Sequence, residues 1–388
     1  MPWRTQTVMD ERAQFAIEAS LSNRSFAEIC RRFGISRPTG YKWLERYQAD
    51  GVLGMADQSR RPRTCPHATP GPVVERIIEL REEFELGARK IQRLLRDEFD
   101  TVPCVDTVHN VLKRAGRIEP RKPKRRRTHP GPPPTSMDHP NDVWTADFKG
   151  EFKTRDGRYC YPLTIQDGFS RYLLDCRGLP RLDLRGTVSS FRHLFRTLGL
   201  PNRIRTDNGA PFATRALGRL SQLSVGWIKL GIRPELIEPG KPYQNGKHER
   251  MHRTLGDRTA TPPAPSLRAQ QKRFDQFRTF YNTVRPHESL GQETPASFYE
   301  PPDRTLPDKP EPLSYPAHFE LRLVSQVGNI KWRKRFVHVS RLLAREYVAL
   351  DTIADGVSSV YFGPVHLGWL DERDFRIMDV RRLQRRQR

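Results

Sequence analysis

The sequence predicts a multidomain α/β protein: helix-turn-helix units first, then a mixed sheet covered by helices, then a small C-terminal β-barrel. Three observations carry this. The chain has 388 residues, enough for several domains and for a sizeable core in at least one. Apolar residues recur at three- and four-residue spacing up to residue 116 and alternate from Asp142 onward, a switch from helix to strand periodicity. Proline-rich stretches at 117–140 and 300–312 interrupt the pattern as linkers would. The expected division is a helix-turn-helix domain over 1–56 and a second helical unit, of winged-helix or helix-turn-helix type, over 72–116. A basic, Pro-rich linker follows over 117–140, then a core over 141–300, then a β-barrel with a basic tail over 317–388.

The first unit is read from its caps. Ser25-Phe26-Ala27-Glu28 has the form of a capping box, Ile29 and Phe33 share a face, and Gly34 stops the helix. Ser36 can cap the next helix, with Pro38 tolerated in its first turn. Tyr41, Leu44 and Tyr47 are expected inward, and Arg37, Thr39, Lys42 and Arg46 outward. Helix, glycine turn and capped basic helix is the pattern whose second helix enters a DNA major groove. In the second unit, helices are expected from Pro72 (Val74, Ile77, Ile78), from Ala88, and over 107–116 with Val108, Val111, Leu112 and Ala115 inward. Gly116 is a plausible C-cap. This unit reads as a second DNA-reading module or a protein–protein element. The basic run 121–127 would track a phosphate backbone.

Composition agrees. Lys and Arg number 68 against 45 Asp and Glu, a net charge of +23, which points to a polyanion and first to double-stranded DNA. The five cysteines, Cys30, Cys65, Cys104, Cys160 and Cys176, form no Cys-x-x-Cys pair, which fits a reducing compartment and argues against a zinc ribbon. Residues 1–12 hold no signal-peptide core, and no run approaches the ~20 apolar residues of a membrane span. A soluble, intracellular protein with no membrane partner is expected.

From Asp142 the strands begin. Trp144, Ala146 and Phe148 alternate with Thr145 and Asp147. An acid in a β-rich run is locally disfavoured, and such violations mark function. Strands are expected over 159–166 and 171–179 around an Asp167-Gly168 turn, and a helix over 184–198 with Val188, Phe191, Phe195 and Leu198 on one side. A strand over 203–206 ends on Asp207-Asn208-Gly209; after 213–230, a short strand is expected near Leu236-Ile237. A helix from Asn245-Gly246 puts Met251 and Leu255 on one face and carries Glu249 in its first turns. Ser266 can cap a further helix, with Leu267, Phe274, Phe277 and Tyr281 inward.

The ordered set Trp-x-x-Asp, Thr-Asp-Asn-Gly, then Pro-Gly-x-Pro-x-x-Asn-Gly-x-x-Glu-Arg resembles the integrase core of insertion-sequence transposases, in the retroviral integrase superfamily with its ribonuclease H-like fold. The stretch 281–290 followed by Thr294-Pro295 is similar to bacterial members. The resemblance covers residues 141–300 closely and the helical N-terminal region more loosely. It implies that Asp147, Asp207 and Glu249 are the three catalytic, metal-holding acids. It also implies a homo-oligomer that pairs two DNA ends, and a cytoplasmic, nucleoid-associated bacterial protein. Glu249 lies 42 positions after Asp207, longer than in many relatives, and the histidine–cysteine zinc module of retroviral integrases has no counterpart.

Three carboxylates suit phosphoryl chemistry. Water or a 3′-hydroxyl must attack a phosphodiester that is already negative, and two divalent ions ~3.5–4 Å apart can activate the nucleophile and stabilise the leaving oxygen. Hard oxygen ligands suit two Mg²⁺ ions, with Mn²⁺ as a substitute. Asp147 is expected to bridge both, with Asp207 and Glu249 holding one each. Asp142, Asp167 and Glu238 are nearby acids outside the motif, Asp167 ordering the turn. Lys241, Tyr243, Gln244, Asn245, Lys247, Arg250 and Arg253 are expected at the DNA backbone, as are His248 and His252. The expected activity is a transposase that binds element ends at terminal inverted repeats, cleaves at their 3′ ends and joins them to target DNA. A transposase-derived DNA-binding regulator without catalysis, and a ribonuclease on the same fold, are the alternatives. At the C-terminus, strands are expected over 319–323, 330–339, 347–350 and 357–362, followed by a phosphate-seeking basic tail.

Overall fold

The structure, a computed structural model, describes residues 7–59, 68–118 and 135–379. The basic run 121–127, most of the 117–140 linker, Cys65 and the tail from Arg381 lie outside the described residues. The chain divides into two compact units, Met1–Pro70 and Gly71–Arg388.

The first unit contains α1 (Val8–Leu21), α2 (Phe26–Arg32) and α3 (Arg37–Asp50). Ser25 and Ser36 cap α2 and α3 by accepting from the Glu28 and Thr39 amides; only the first half of the expected box at Ser25 forms. The core is Phe15, Ala16, Ile29, Cys30, Trp43 and Met55. The inward stripe of α3 is therefore Gly40 and Trp43, with Leu44 and Tyr47 half-buried, not the one expected from Tyr41; Tyr41 is 58% exposed and stacks on Phe26 at 4.2 Å. Gly40 sets this rotation. A Cβ there would lie 2.7 Å from Cys30 Sγ and 2.9 Å from the Phe15 ring, so the bare backbone is what allows α3 to close on α1 and α2.

The second unit opens with α4 (Gly71–Phe84), α5 (Ala88–Leu95) and α6 (Val105–Arg114), packed around Val73, Ile77, Leu80, Ile91, Leu95, Val108, Val111 and Leu112. The last helix begins two residues earlier than expected, and Ala115, expected inward, is its exposed C-cap; Gly116 follows with φ +68°. These helices dock on residues 258–293 of the same unit: Phe280 joins their core, Arg258 donates to the Phe84 carbonyl, and Arg93 pairs with Glu293 at 3.0 Å.

A mixed sheet comes next. It contains β1 (Val143–Phe148), β2 (Phe152–Lys153), β3 (Tyr159–Asp167), β4 (Leu173–Leu179), β5 (Arg203–Thr206) and β6 (Arg233–Leu236). β3 pairs antiparallel with β1, β2 and β4, and β1, β5 and β6 run parallel. β6 ends at Leu236 and so overlaps the short strand expected near Leu236-Ile237, beginning three residues earlier. On one face α7 (Leu184–Thr197) and α8 (Gln222–Lys229) cover a core of Trp144, Ala146, Ile165, Phe191, Phe195, Ile204 and Trp227. Another cluster joins Met251 and Leu255 of α9 (Gly246–Thr259) to Phe274 and Phe277 of α10 (Leu267–Thr279) and to Tyr281. Asp167, as expected, orders its turn: fully buried, it accepts from the Ser170 amide and hydroxyl and the Asn141 amide.

The C-terminal strands are β7 (Glu320–Leu323), β8 (Asn329–Trp332), β9 (Arg335–His338), β10 (Tyr347–Ala354), β11 (Val357–Phe362), β12 (Val365–Asp371) and β13 (Arg376–Met378). They pair as a five-stranded antiparallel order, β13-β12-β11-β10-β7, plus a separate β8-β9 hairpin. Both sheets contribute to one apolar core, with Ile330, Trp332 and Val337 beside Val348, Val360 and Leu370. The strand expected over 330–339 is thus a hairpin, turning at Arg333 and Lys334 with φ +42° and +66°.

Candidate active site

Asp147 and Asp207 come together because their strands are parallel neighbours. Ala146 pairs with Thr206, so the next residue of each strand carries its carboxylate at the same end of the sheet. Asp147 is still within β1; Asp207 is the first residue past β5 and accepts from the Gly209 amide at 3.1 Å, the Asx turn its Asn-Gly sequel favours. Glu249 is exposed in the first turn of α9.

Burial, then the Asp207 charge and more weakly that of Glu249, push the Asp147 carboxyl up to about 7, against the opposing Phe148 amide. Burial also raises Asp207, while the Gly209 amide and Arg219 oppose it. Among the described residues, no three acidic, histidine or cysteine side chains stand close enough to hold a metal ion. Asp147 and Asp207 are brought side by side; Glu249 contributes to their field without closing a cluster.

Two histidines expected at DNA prove to be interior fasteners. His248 is fully buried, with Nδ1 hydrogen-bonded to Thr145 Oγ1 at 2.9 Å and Nε2 to Thr164 Oγ1 at 2.6 Å. His252, one helical turn on, reaches the same Thr164 hydroxyl at 2.6 Å. Burial, with the neighbouring His252, holds His248 well below the usual imidazole range; burial and Lys149 push His252 down to about 3. A neutral pair therefore pins α9 across β1 and β3. The signal in sequence was the i, i+4 spacing of the histidines with threonines on strands, which a charge-based reading passes over.

The other expected DNA contacts divide. Gln244 is buried and committed, accepting from the Glu238 amide and donating to its carboxylate, each at 2.8 Å; Lys241 pairs with Glu238 at 2.5 Å. Asn245, 5% exposed, points Nδ2 at Asp147 Oδ2 (3.5 Å) and leaves Oδ1 without a partner. Tyr243, Lys247 and Arg250 line a cavity beside α9, and Arg253 is exposed. In the first unit Arg37 and Lys42 are exposed and Thr39 is half-buried. The Arg46 guanidinium lies 4.9 Å from the Trp43 ring centre and donates to Gln58 at 2.9 Å.

Two families described as integrase core domain match residues 137–242 and 230–295, spans that include all three acids. An uncharacterized 39.2 kDa protein of insertion element IS476 from Xanthomonas euvesicatoria is 27% identical over 290 residues, 72% of this chain and 80% of that protein. An uncharacterized 31.7 kDa protein of insertion element IS407 from Burkholderia multivorans is 26% identical over 229 residues, 58% of this chain and 79% of that one. The chain therefore carries integrase core domain sequence over residues 137–295 and is similar to proteins of insertion elements. The chain also carries helix-turn-helix sequence: a helix-turn-helix domain family matches residues 11–63 and a homeodomain-like domain family residues 39–112. Among solved structures, the chain is similar to the HTLV-2 integrase catalytic core in complex with magnesium (17% identity, TM-score 0.33, 42% of this chain and 98% of that one). It is also similar to the simian T-cell lymphotropic virus intasome with a PP2A regulatory subunit (18% identity, TM-score 0.37, 75% and 97%). No helix among the described residues is long and apolar enough to cross a membrane.

Proposed function

We propose that this protein is a transposase that binds the ends of its element, hydrolyses a phosphodiester at each 3′ end, and joins the freed 3′-hydroxyls to target DNA. The observation that carries the reading is the placement of Asp147 and Asp207, each the residue after the Ala146–Thr206 pair, at the same end of parallel neighbours, beside a helix that presents Glu249. Two crowded carboxylates, one pushed up to about 7 by burial and by the other's charge, form a site suited to receive positive charge.

The donor set fits Mg²⁺ or Mn²⁺. Asp147, Asp207 and Glu249 would hold the ions, with the unpartnered Oδ1 of Asn245 a further hard oxygen in the same buried corner. A bound pair of such ions activates the attacking oxygen and stabilises the leaving one. The protein's own groups do the rest. The neutral histidines hold α9, and so Glu249, against β1, which carries Asp147, and its neighbour β3. At neutral pH both rings are uncharged and add no positive charge beside the aspartates. Arg37 and Lys42 of α3 would read or grip the element end, while Arg250 and Arg253 meet the DNA backbone near the cut. Joining two ends requires at least two copies acting together, and the paired C-terminal sheets would serve as a barrel-like module for DNA or assembly.

The test is a nicking and joining assay on element-end DNA with Mg²⁺. Asp147→Asn, Asp207→Asn and Glu249→Gln should each abolish both steps and leave end binding intact in a gel-shift measurement. A variant that keeps full activity removes its residue from the site. Specific end binding by the wild type without cleavage under Mg²⁺ or Mn²⁺ would instead make the protein a DNA-binding regulator.

A further inference from the structure

A cavity of about 410 Å³ opens beside α9, and its walls contain none of Asp147, Asp207, Glu249 or Arg253. Lys247, Arg250, Met251 and Thr254 line it, a face defined by three- and four-residue spacing and distinct from the one carrying Glu249. The remaining walls come from α5, β5, Met137, Arg171, the turn over 243–246 and the segment around residues 281–289.

Its charge is one-sided. Lys90, Arg171, Arg205, Lys247, Arg250 and Arg285 all face it. Glu288 is the acid among the lining residues, and it pairs outward with Arg89 at 3.6 Å. Arg205 is the decisive member. It is fully buried, its Nε donates to Glu235 at 2.5 Å and its Nη2 to the Thr135 carbonyl at 3.1 Å, and its Nη1 has no partner among the described residues. A buried guanidinium N–H without an acceptor costs about 1–3 kcal/mol, more for a charged group. A cavity walled by six cationic side chains suits an anion that offers several acceptor oxygens at once. Phosphate does so, and guanidinium forks match its geometry.

We propose that this cavity is a phosphate-binding pocket, separate from the acidic centre, that takes either a DNA-backbone phosphate or a free phosphate-type anion. A phosphate seated there ties α5 of the second helical unit to α9 and β5 of the core. The electrostatics agree with the geometry. Lys90 is pushed down to about 7 by burial and by Arg285 and Arg250, with Glu288 opposing. His287, also in the wall, is pushed down to about 3 by burial, Arg285 and Lys90, so it stays neutral beside them. An entering anion would raise Lys90 and be accompanied by proton uptake near neutral pH.

The pocket does not depend on the acids being catalytic, and its test keeps the two apart. Inorganic pyrophosphate is titrated into the full-length protein by calorimetry in metal-free buffer, with wild type, Lys90→Met, Arg285→Met, the double variant and Asp147→Asn. Binding should weaken by about tenfold or more in the double variant and stay unchanged in Asp147→Asn. Lys90→Arg should restore it, and thermal melts establish that each variant is folded. In a second arm, binding to duplex element-end DNA is followed against salt. If the source is DNA, pyrophosphate competes with the duplex and the double variant lowers the salt slope by about 0.9 for one phosphate contact. If the source is a free anion, pyrophosphate binds but the DNA slope is the same in wild type and double variant. Folded cavity variants that change neither pyrophosphate binding nor the DNA salt slope overturn the proposal.

Discussion

Asp147→Asn should stabilise the metal-free protein, and the gain should depend on pH. The Asp147 carboxyl sits near 7 in the folded state against 3.8 for a free aspartate, raised first by burial and then by Asp207. Between those two values the folded state holds a proton that the unfolded state has lost, so stability falls as pH rises through this window. Above it the full cost applies: roughly three pH units, on the order of 4 kcal/mol. The side chain is 20% exposed, so water screens this only in part. Asparagine keeps the shape and removes the charge. In EDTA at about pH 8 the variant should melt about 10 °C above the wild type, and at about pH 4 the two should coincide. Saturating Mg²⁺ should raise the wild type toward the variant and move the variant less. A variant no more stable than wild type at the higher pH, or a gap that ignores pH, would refute the account of a charge-strained site.

Other consequences are as direct. His252→Asn should flatten the acid limb of the stability profile: the folded value near 3 lies below the unfolded one, so the wild type loses stability as pH falls from about 6.5 toward 3, which urea titrations at several pH values will show. Gly40→Ala gains about 1 kcal/mol of helix propensity but forces a methyl to 2.7 Å from Cys30 Sγ, an overpacking of about 1–3 kcal/mol, so a net loss in melting temperature and weaker end binding are expected. Asp167→Ala strands the buried Asn141 and Ser170 amides and should cost about 3 kcal/mol or more in chemical denaturation, while Asp142→Ala, at a half-exposed acid nearby, should cost far less.

What could be read in the sequence was whatever depends on spacing within one element. Met251 and Leu255 share a face of α9 and both are buried; the alternation about Trp144 places β1; Ser36 and Ser266 cap their helices. What escaped depends on residues distant in sequence. His248 and His252 look like surface cations until Thr145 and Thr164, more than 80 positions away, come into contact with them. The α3 stripe was misplaced because a glycine gives no apolar signal, although Gly40 marks the closest helix approach. The β8-β9 hairpin turns on Arg333 and Lys334, residues that rarely take positive φ, so no Asn-Gly signal divided 330–339. The six cations of the cavity are spread from residue 90 to 285, and a net charge does not reveal that they converge.

The neutrality of the two histidines bears on how the acidic site can work at all. His252 Nδ1 lies 3.9 Å from Asp147 Oδ2, close enough for an ion pair if the ring were charged. A charged ring would draw Asp147 back toward the ordinary carboxylate range and put a fixed positive charge where a divalent cation would have to enter. Burial and Lys149 keep the ring neutral instead, and Thr164 satisfies its other nitrogen without adding charge. The helix that carries Glu249 is therefore fastened by hydrogen bonds that leave the negative charge of the aspartates uncompensated. A clamp made of salt bridges would hold α9 equally well and would quench the field that the fold has concentrated at the ends of β1 and β5.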